Sequence, residues 1–335
     1  MTRETIDAIR EETLAVLRPH ASPGDRVAHL DFPNHYNAGD SLIYAGEVEY
    51  LKRLNVHVDY VSDPFTHNDA LLEERIGDGT LFLQGGGNFG DRWPIDQKFR
   101  ESIVARFPRN KIVCLPQSID FADTDALTRT AALYAEHPDL TLMLRERRSY
   151  ELALAHFPGN RVEYCPDMAF GADVARSAEG SAVDVVKLLR ADSESLGHES
   201  VKIDASSVQY DWGLRGTDLA ISTAVMLPTL IAQHFPRANR LLYPALLRSY
   251  EQTAKLNLRV AQRILNLAPV VLTDRLHAAV LAAMMGKRVV AMDNANKKVS
   301  GIYDAYLHRF DNVHFASTTD EAAELVRQAV ADSRR

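Results

Sequence analysis

Along residues 26–164 short apolar, β-branched runs alternate with longer stretches whose apolar positions recur every three to four residues. That alternation predicts βαβ units around a mostly parallel sheet. Strands are expected over 26–32, 56–61, 80–84, 111–115, 140–144 and 161–164, and helices over 40–54, 68–76, 96–107, 124–135 and 147–157. An amphipathic helix over 3–18 precedes them, with Ile6, Ile9, Leu14 and Leu17 on one side. The rhythm breaks at 171–182, a polar stretch of small residues, which predicts a domain boundary. Residues 183–189 then form an apolar run interrupted only by Lys187, as an inner parallel strand does. A polar loop over 193–200 follows, with helices over 218–235 and 246–267. Strands at 268–272, 288–292 and 313–315 alternate with helices at 274–285, 299–307 and 319–333. The fold class is α/β: two Rossmann-like, doubly wound domains facing across a cleft. The first is expected to span 1–172 and the second 173–317, with a C-terminal helix over 318–335 packing back on the first.

Composition agrees with this picture. The 335 residues leave room for two domains of ordinary size, and 46% apolar content supplies their cores. A net charge of −7 gives no electrostatic support for a nucleic-acid partner. Cys114 and Cys165 both lie in apolar, strand-like surroundings, which predicts buried free thiols in a reducing compartment. The start of the chain has no apolar leader, and no run approaches the roughly 20 apolar residues of a membrane span. A soluble, cytoplasmic chain is expected, and peripheral association with the inner face of a membrane stays compatible with it.

The chemistry-bearing residues gather at predicted strand ends. Thr273-Asp-Arg-Leu-His277 follows an apolar strand and opens a helix, so Arg275 and His277 stand where open α/β sheets bind ligands. The helix terminus adds N–H donors and a positive field. Gly85-Gly-Gly-Asn-Phe-Gly90 follows the strand at 80–84. It matches the dinucleotide fingerprint literally but lacks the acidic residue that fingerprint needs about 20 positions on. Either Gly85, Gly86 and Gly87 make a tight turn, or they clear side chains from the strand end so that a bulky ligand approaches, with Asn88 and Asp91 bonding sugar hydroxyls. Asp40, in Asn37-Ala-Gly-Asp40, is expected as a helix cap beside His35 and Tyr36. Arg145 leads a cluster of arginines at a helix start, where cations oppose the helix field unless an anion is held. Asp167 caps a helix or faces the cleft, and Lys297 and Lys298 follow the strand at 288–292. Arg145, Arg275, His277 and Lys298 together imply a substrate with several negative charges beside a hydroxyl-rich partner.

Taken in order, Asn37-x-Gly-Asp40, Gly85-Gly-Gly-Asn-Phe-Gly-Asp91, Leu115-Pro-Gln-Ser118, Arg145-Glu-x-x-Ser149, Pro166-Asp167, Thr273-x-Arg-Leu-His277 and Lys298-Val-Ser-Gly301 resemble the polysaccharide pyruvyl transferase family. The resemblance runs from about residue 26 to residue 310 and implies a GT-B-like fold. It implies transfer of the pyruvyl group of phosphoenolpyruvate onto two hydroxyls of a sugar, forming a ketal. The acceptor would be a cell-surface glycan or exopolysaccharide, or its lipid-linked precursor. The first domain, with the glycine-rich loop, becomes the acceptor side and the second the anionic donor side. The resemblance assigns Arg145, Arg275 and Lys298 to the anion, with Lys297 one position from the match. The turn at Asn294-Ala-Asn296 departs from the family's usual tyrosine or Asp/Ser turn.

On this reading His277 protonates the methylene carbon, because histidine titrates near physiological pH. Asp40, Asp91 and Asp167 are the candidates to accept the hydroxyl proton. No metal and no cofactor are called for, phosphoenolpyruvate being a donor substrate. Loops at 31–41, 88–96 and 204–216, the last carrying Tyr210, Trp212 and Arg215, are expected to select the acceptor. The alternative is a GT-B glycosyltransferase that holds the diphosphate of a nucleotide sugar in the same cleft; a glycan-binding subunit is disfavoured by so many cations. One tension is built in. Two positions apart on a regular helix, Arg275 and His277 point to different sides.

Overall fold

The computed structural model describes residues 2–175, 181–190, 196–198 and 201–334. After α1 (Thr2–Leu17), the first half alternates β1 (Arg26–Leu30), α2 (Ala38–Arg53), β2 (His57–Ser62), α3 (Asp69–Ile76), β3 (Leu81–Leu83), β4 (Gly86–Phe89), α4 (Pro94–Arg106), β5 (Ile112–Ile119), α5 (Thr124–Ala135), β6 (Leu140–Leu144), α6 (Arg147–His156) and β7 (Arg161–Tyr164). The sheet order is β2-β1-β3-β5-β6-β7, all parallel, with β4 continuing the line of β3 along β5. The second half holds β8 (Val185–Leu188), β9 (Ser207–Tyr210), α7 (Thr217–Val225), α8 (Leu227–His234), α9 (Asn239–Leu265), β10 (Val270–Thr273), α10 (Leu276–Met284), β11 (Arg288–Met292), α11 (Lys298–Ala305), β12 (Val313–Ala316) and α12 (Thr319–Ser333). Its sheet is parallel in the order β12-β11-β10-β8-β9. In each sheet the winding reverses once, between β1 and β3 and between β8 and β10. Such switch points open a crevice at the carboxyl ends of the strands.

The two halves share an apolar core. Leu42, Ile43 and Tyr50 of α2 pack in one cluster with Leu276, Ala279 and Ala283 of α10. A Cβ added at Gly46 would lie 1.8 Å from the Met168 carbonyl oxygen, so only glycine lets α2 meet the 168–171 turn. Burying a side chain such as Leu42, fully enclosed here, is worth about 1.5–3 kcal/mol.

Several expectations need correction. Residues 86–89, expected as part of a loop, form β4. Asn37, not Asp40, caps α2, its side chain accepting from the Gly39 N–H. The single helix expected over 218–235 is α7 and α8, divided ahead of Pro228, which has no N–H to continue the ladder. Helix α9 begins well before 246, accommodating Pro244 inside it. Strand β9 was not anticipated. Helix α12, expected to pack back on the first domain, packs on the second sheet. Its Ala322, Val326 and Val330 cover Val270, Leu272 and Val290 of the second sheet. The first half of α9 makes the crossing instead: Tyr243 stacks on Tyr60, and Tyr250 lies against Phe32. The expected boundary at 171–182 and loop at 193–200 lie partly outside the described residues.

Candidate active site

The carboxyl ends of the two sheets enclose a cleft of about 450 Å³. Four helices, α2, α4, α10 and α11, begin at its walls. At the end of β10, Thr273 donates to the Leu188 carbonyl (2.6 Å) and accepts from the Arg275 N–H (3.0 Å). Asp274, fully buried, accepts from the Arg190 N–H at 2.8 Å. Those two residues build the turn, and the next ones line the cleft.

Arg275 is the N-cap of α10, with extended φ −100° and ψ 116°. It stands before the helix settles, so Arg275 and His277 both reach the cleft. That removes the conflict of spacing. The first turn of α10 has no side-chain cap, which leaves its amide field turned to the cleft. The Arg275 guanidinium pairs with Asp211, just after β9.

His277 is oriented by Asp167. Its Nε2 lies 3.3 Å from Asp167 Oδ2, which also accepts from Arg145 Nη1 at 2.7 Å. The other ring nitrogen, Nδ1, faces Gly39 at the start of α2, where an added Cβ would come within 2.8 Å of it. Asp167 is buried and caps the 168–171 turn through the Ala169 N–H. Burial pushes its carboxyl up, yet Arg145, His277 and the Ala169 amide outweigh it and hold it well below the usual carboxylate range. Asp167 thus positions two side chains, its Oδ2 being shared between Arg145 and His277.

Arg145, 1% exposed, also donates from Nε to Ser118 Oγ at 3.0 Å. The turn that aims it is set by Glu146, which caps α6 by accepting from the Ser149 N–H. Lys298 opens α11 and donates from Nζ to the Gly87 carbonyl at 3.4 Å. A Cβ on Gly87 would sit 3.2 Å from Lys298 Nζ and 3.4 Å from Arg145 Nη2, so both cations close over this glycine. Gly87 and Asn88 line the cleft; Gly85 and Gly86 lie behind it, Gly85 donating to Glu47 Oε1 at 2.8 Å. Lys297, in the left-handed region at φ 54°, borders a separate cavity between α6 and α11.

The opposite wall is acidic. Asp40, in the first turn of α2, accepts from Asn37 Nδ2 at 2.7 Å and lies 3.4 Å from His35 Nε2. Asp96, near the start of α4, joins it, and burial pushes its carboxyl up against the pull of Arg100 and His35. Asp91 is turned away. Its oxygens hold the N–H groups of Ala122 and Asp123, and it does not appear in the cleft wall.

The profile of the polysaccharide pyruvyl transferase family matches residues 37–296, more than half of the chain. The chain belongs to this family. It is 30% identical to the putative pyruvyl transferase EpsO of Bacillus subtilis, over 84% of this chain and 85% of that protein. It is 31% identical to pyruvyl transferase 1 of Schizosaccharomyces pombe, over 84% of this chain and 70% of that one. In structure it is similar to a functionally uncharacterised protein of Klebsiella pneumoniae, with a TM-score of 0.60 and 18% identity over 92% of this chain and 99% of that chain. That likeness concerns the fold alone.

Pyruvyl transfer to a glycan is the activity the family assigns to this transferase. Sequence reasoning missed several residues of its cleft. Arg190 follows an apolar run without any mark of its own, and Trp93 and Asp96 fall in the 88–96 loop expected to select the acceptor but are not singled out there. Behind the acidic wall Arg100, 1% exposed, bonds Asp31 at 2.7 Å, Gln117 at 2.9 Å and the Gln84 carbonyl at 3.1 Å. It ties together the ends of β1, β3 and β5, and no local pattern marks it. Of the three residues named in the 204–216 loop expected to select the acceptor, Trp212 lines the cleft, whereas Tyr210 and Arg215 do not appear in its wall.

Proposed function

We propose that this pyruvyltransferase takes phosphoenolpyruvate as its donor and closes a ketal on two hydroxyls of a sugar. The observation that carries the proposal is the closure of Arg145 and Lys298 over Gly87, beside a histidine already held by a carboxylate. Phosphate and carboxylate are dianion and anion. The buried Arg145 guanidinium and the half-buried Lys298 ammonium beside helix N-termini match them, and a guanidinium does so bidentately. Arg145, Arg275 and Lys298 hold the donor on this reading, with Gly87 giving it room.

His277, as imidazolium, gives its proton to the methylene carbon of the donor, leaving an oxocarbenium-like centre at the neighbouring carbon. With Nε2 committed to Asp167, Nδ1 is the nitrogen that delivers it. A sugar hydroxyl attacks that centre and loses its proton to Asp40 or Asp96. The carbon–oxygen bond to phosphate then breaks, and the second hydroxyl closes the ring. Of the two hydroxyl protons, one replaces that spent on the methylene carbon and the other leaves with phosphate. No step calls for a metal or a cofactor. The acceptor lies against the Asp40, Asp96 and Trp212 wall, which offers hydrogen-bond acceptors and an aromatic face. Both halves thus serve both substrates: Arg145 and Gly87 of the first join Arg275 and Lys298 of the second at the donor, and Trp212 of the second joins Asp40 and Asp96 of the first at the acceptor. Buried free thiols at Cys114 and Cys165 support a reducing, cytoplasmic setting.

Phosphate release is the test. Phosphoenolpyruvate with a panel of glycan acceptors should yield one phosphate per ketal. Release of a nucleoside diphosphate from a sugar nucleotide, with none from phosphoenolpyruvate, would overturn it.

A further inference from the structure

Helices α7 and α8 are inside out. Their buried positions are Ser222, Thr229 and Ala232. Their large apolar side chains point to solvent, among them Leu219, Ile221, Leu227, Leu230 and Phe235. Phe235 is 64% exposed, and Leu241, at the start of α9, 85%. The inward hydroxyls are used: Thr229 Oγ1 meets Ser249 Oγ at 3.2 Å, and Ser249 donates to the Val225 carbonyl at 2.7 Å. The orientation is therefore built in. A contiguous apolar face of this kind marks a surface that is covered in use.

The charge around it is equally one-sided. In a chain of net −7, residues 219–250 contain no Asp or Glu and carry Arg237, Arg240 and Arg248, all exposed. Among the described residues, Arg240 of these three is ion-paired, with Glu74 at 2.9 Å. We propose that α7, α8 and the start of α9 dock this enzyme on an anionic lipid bilayer. The apolar side chains enter the headgroup–acyl boundary, and the arginines meet lipid phosphates. With 9 and 8 residues, α7 and α8 are far short of the ~20 needed to span, so they lie in the plane of the surface. A second copy of the chain fits less well. A two-fold contact through this face would set the arginines against their own copies. The position also suits an acceptor carried on lipid. Trp212 lines the cleft and α7 begins at Thr217, at most ~18 Å of chain away.

The test is co-sedimentation of the full chain with phosphatidylcholine vesicles, with and without phosphatidylglycerol. It reads binding without turnover, so it succeeds or fails separately from the identity of the donor. Binding is expected to phosphatidylglycerol vesicles and to weaken with added salt. Arg237→Gln and Arg248→Gln should each lower the partition about fivefold. Phe235→Asp with Leu241→Asp should abolish it while leaving the melting temperature and phosphate release with a soluble acceptor unchanged. Wild-type protein that stays in solution with phosphatidylglycerol vesicles overturns the proposal. So does a wild-type dimer in analytical ultracentrifugation that the double substitution splits, since the face would then belong to a second copy.

Discussion

His277 is held by Asp167, whose Oδ2 lies 3.3 Å from the ring Nε2. The same oxygen accepts from Arg145 at 2.7 Å. One buried carboxylate therefore orients the proposed acid and the proposed anion clamp together. It leaves Nδ1 as the ring nitrogen that faces Gly39.

Asp167→Asn removes that charge but keeps the shape. Turnover should fall on the order of 10²–10⁴-fold, the usual contribution of a positioned acid. Leaving Arg145 buried without its partner should cost about 3–5 kcal/mol of stability at neutral pH. The sign with pH follows from a carboxyl held below its ordinary range in the fold. Its contribution is present above the unfolded value of about 3.9 and is lost as pH falls through the lower folded value. Urea unfolding at neutral and acidic pH should show the gap between wild type and Asp167→Asn narrowing in acid. A gap that widens would refute this.

Gly39→Ala sets two effects against each other. Within a helix, alanine ordinarily gains about 1 kcal/mol over glycine. Here its Cβ would meet His277 Nδ1 at 2.8 Å and Asn37 Oδ1 at 3.1 Å. We expect a near-unchanged melting temperature with a large loss of kcat. Full activity in this variant would mean that Nδ1 does not face the reacting group.

The two adjacent lysines should separate cleanly. Lys298 Nζ reaches the Gly87 carbonyl and lines the cleft, while Lys297 lines only the neighbouring cavity, which Lys298 also borders. Lys298→Ala should raise the KM for phosphoenolpyruvate at least tenfold, and Lys297→Ala should leave it near wild type. The reverse order would move the donor out of this cleft.

Arg275→Lys keeps the charge and loses the fork. Bidentate contact to a carboxylate or phosphate requires the planar guanidinium, so the Michaelis constant for the donor should rise although Asp211 keeps a cationic partner. An unchanged constant would reassign Arg275 to holding Asp211 alone.

Much of this was legible because strand ends are legible. Apolar β-branched runs locate β1, β5, β6 and β10, and ligands gather where such strands stop, which brought forward Arg145, Arg275 and His277. What escaped depends on contacts between distant segments. Asp167 meets His277 across 110 positions, and nothing local distinguishes a carboxylate that accepts a proton from one that orients its neighbours. Asp91 looked equivalent and proved to be a loop tie to Ala122 and Asp123. Residues 86–89 lack the apolar side chains that announce a strand, yet β5 continues far enough to pair with them. Helix α12 has an apolar face that fits any sheet, and only the packing shows which one it covers.

The central claim is that His277 places a solvent-derived proton on the methylene carbon of phosphoenolpyruvate. It is tested most directly by running the reaction in deuterium oxide and reading the methyl group of the pyruvylated glycan by mass spectrometry. The account predicts a single deuterium in each ketal methyl group, and loss of product on the order of 10²–10⁴-fold in His277→Ala. A methyl group free of deuterium, or a His277→Ala enzyme that forms labelled product at the wild-type rate, would contradict it.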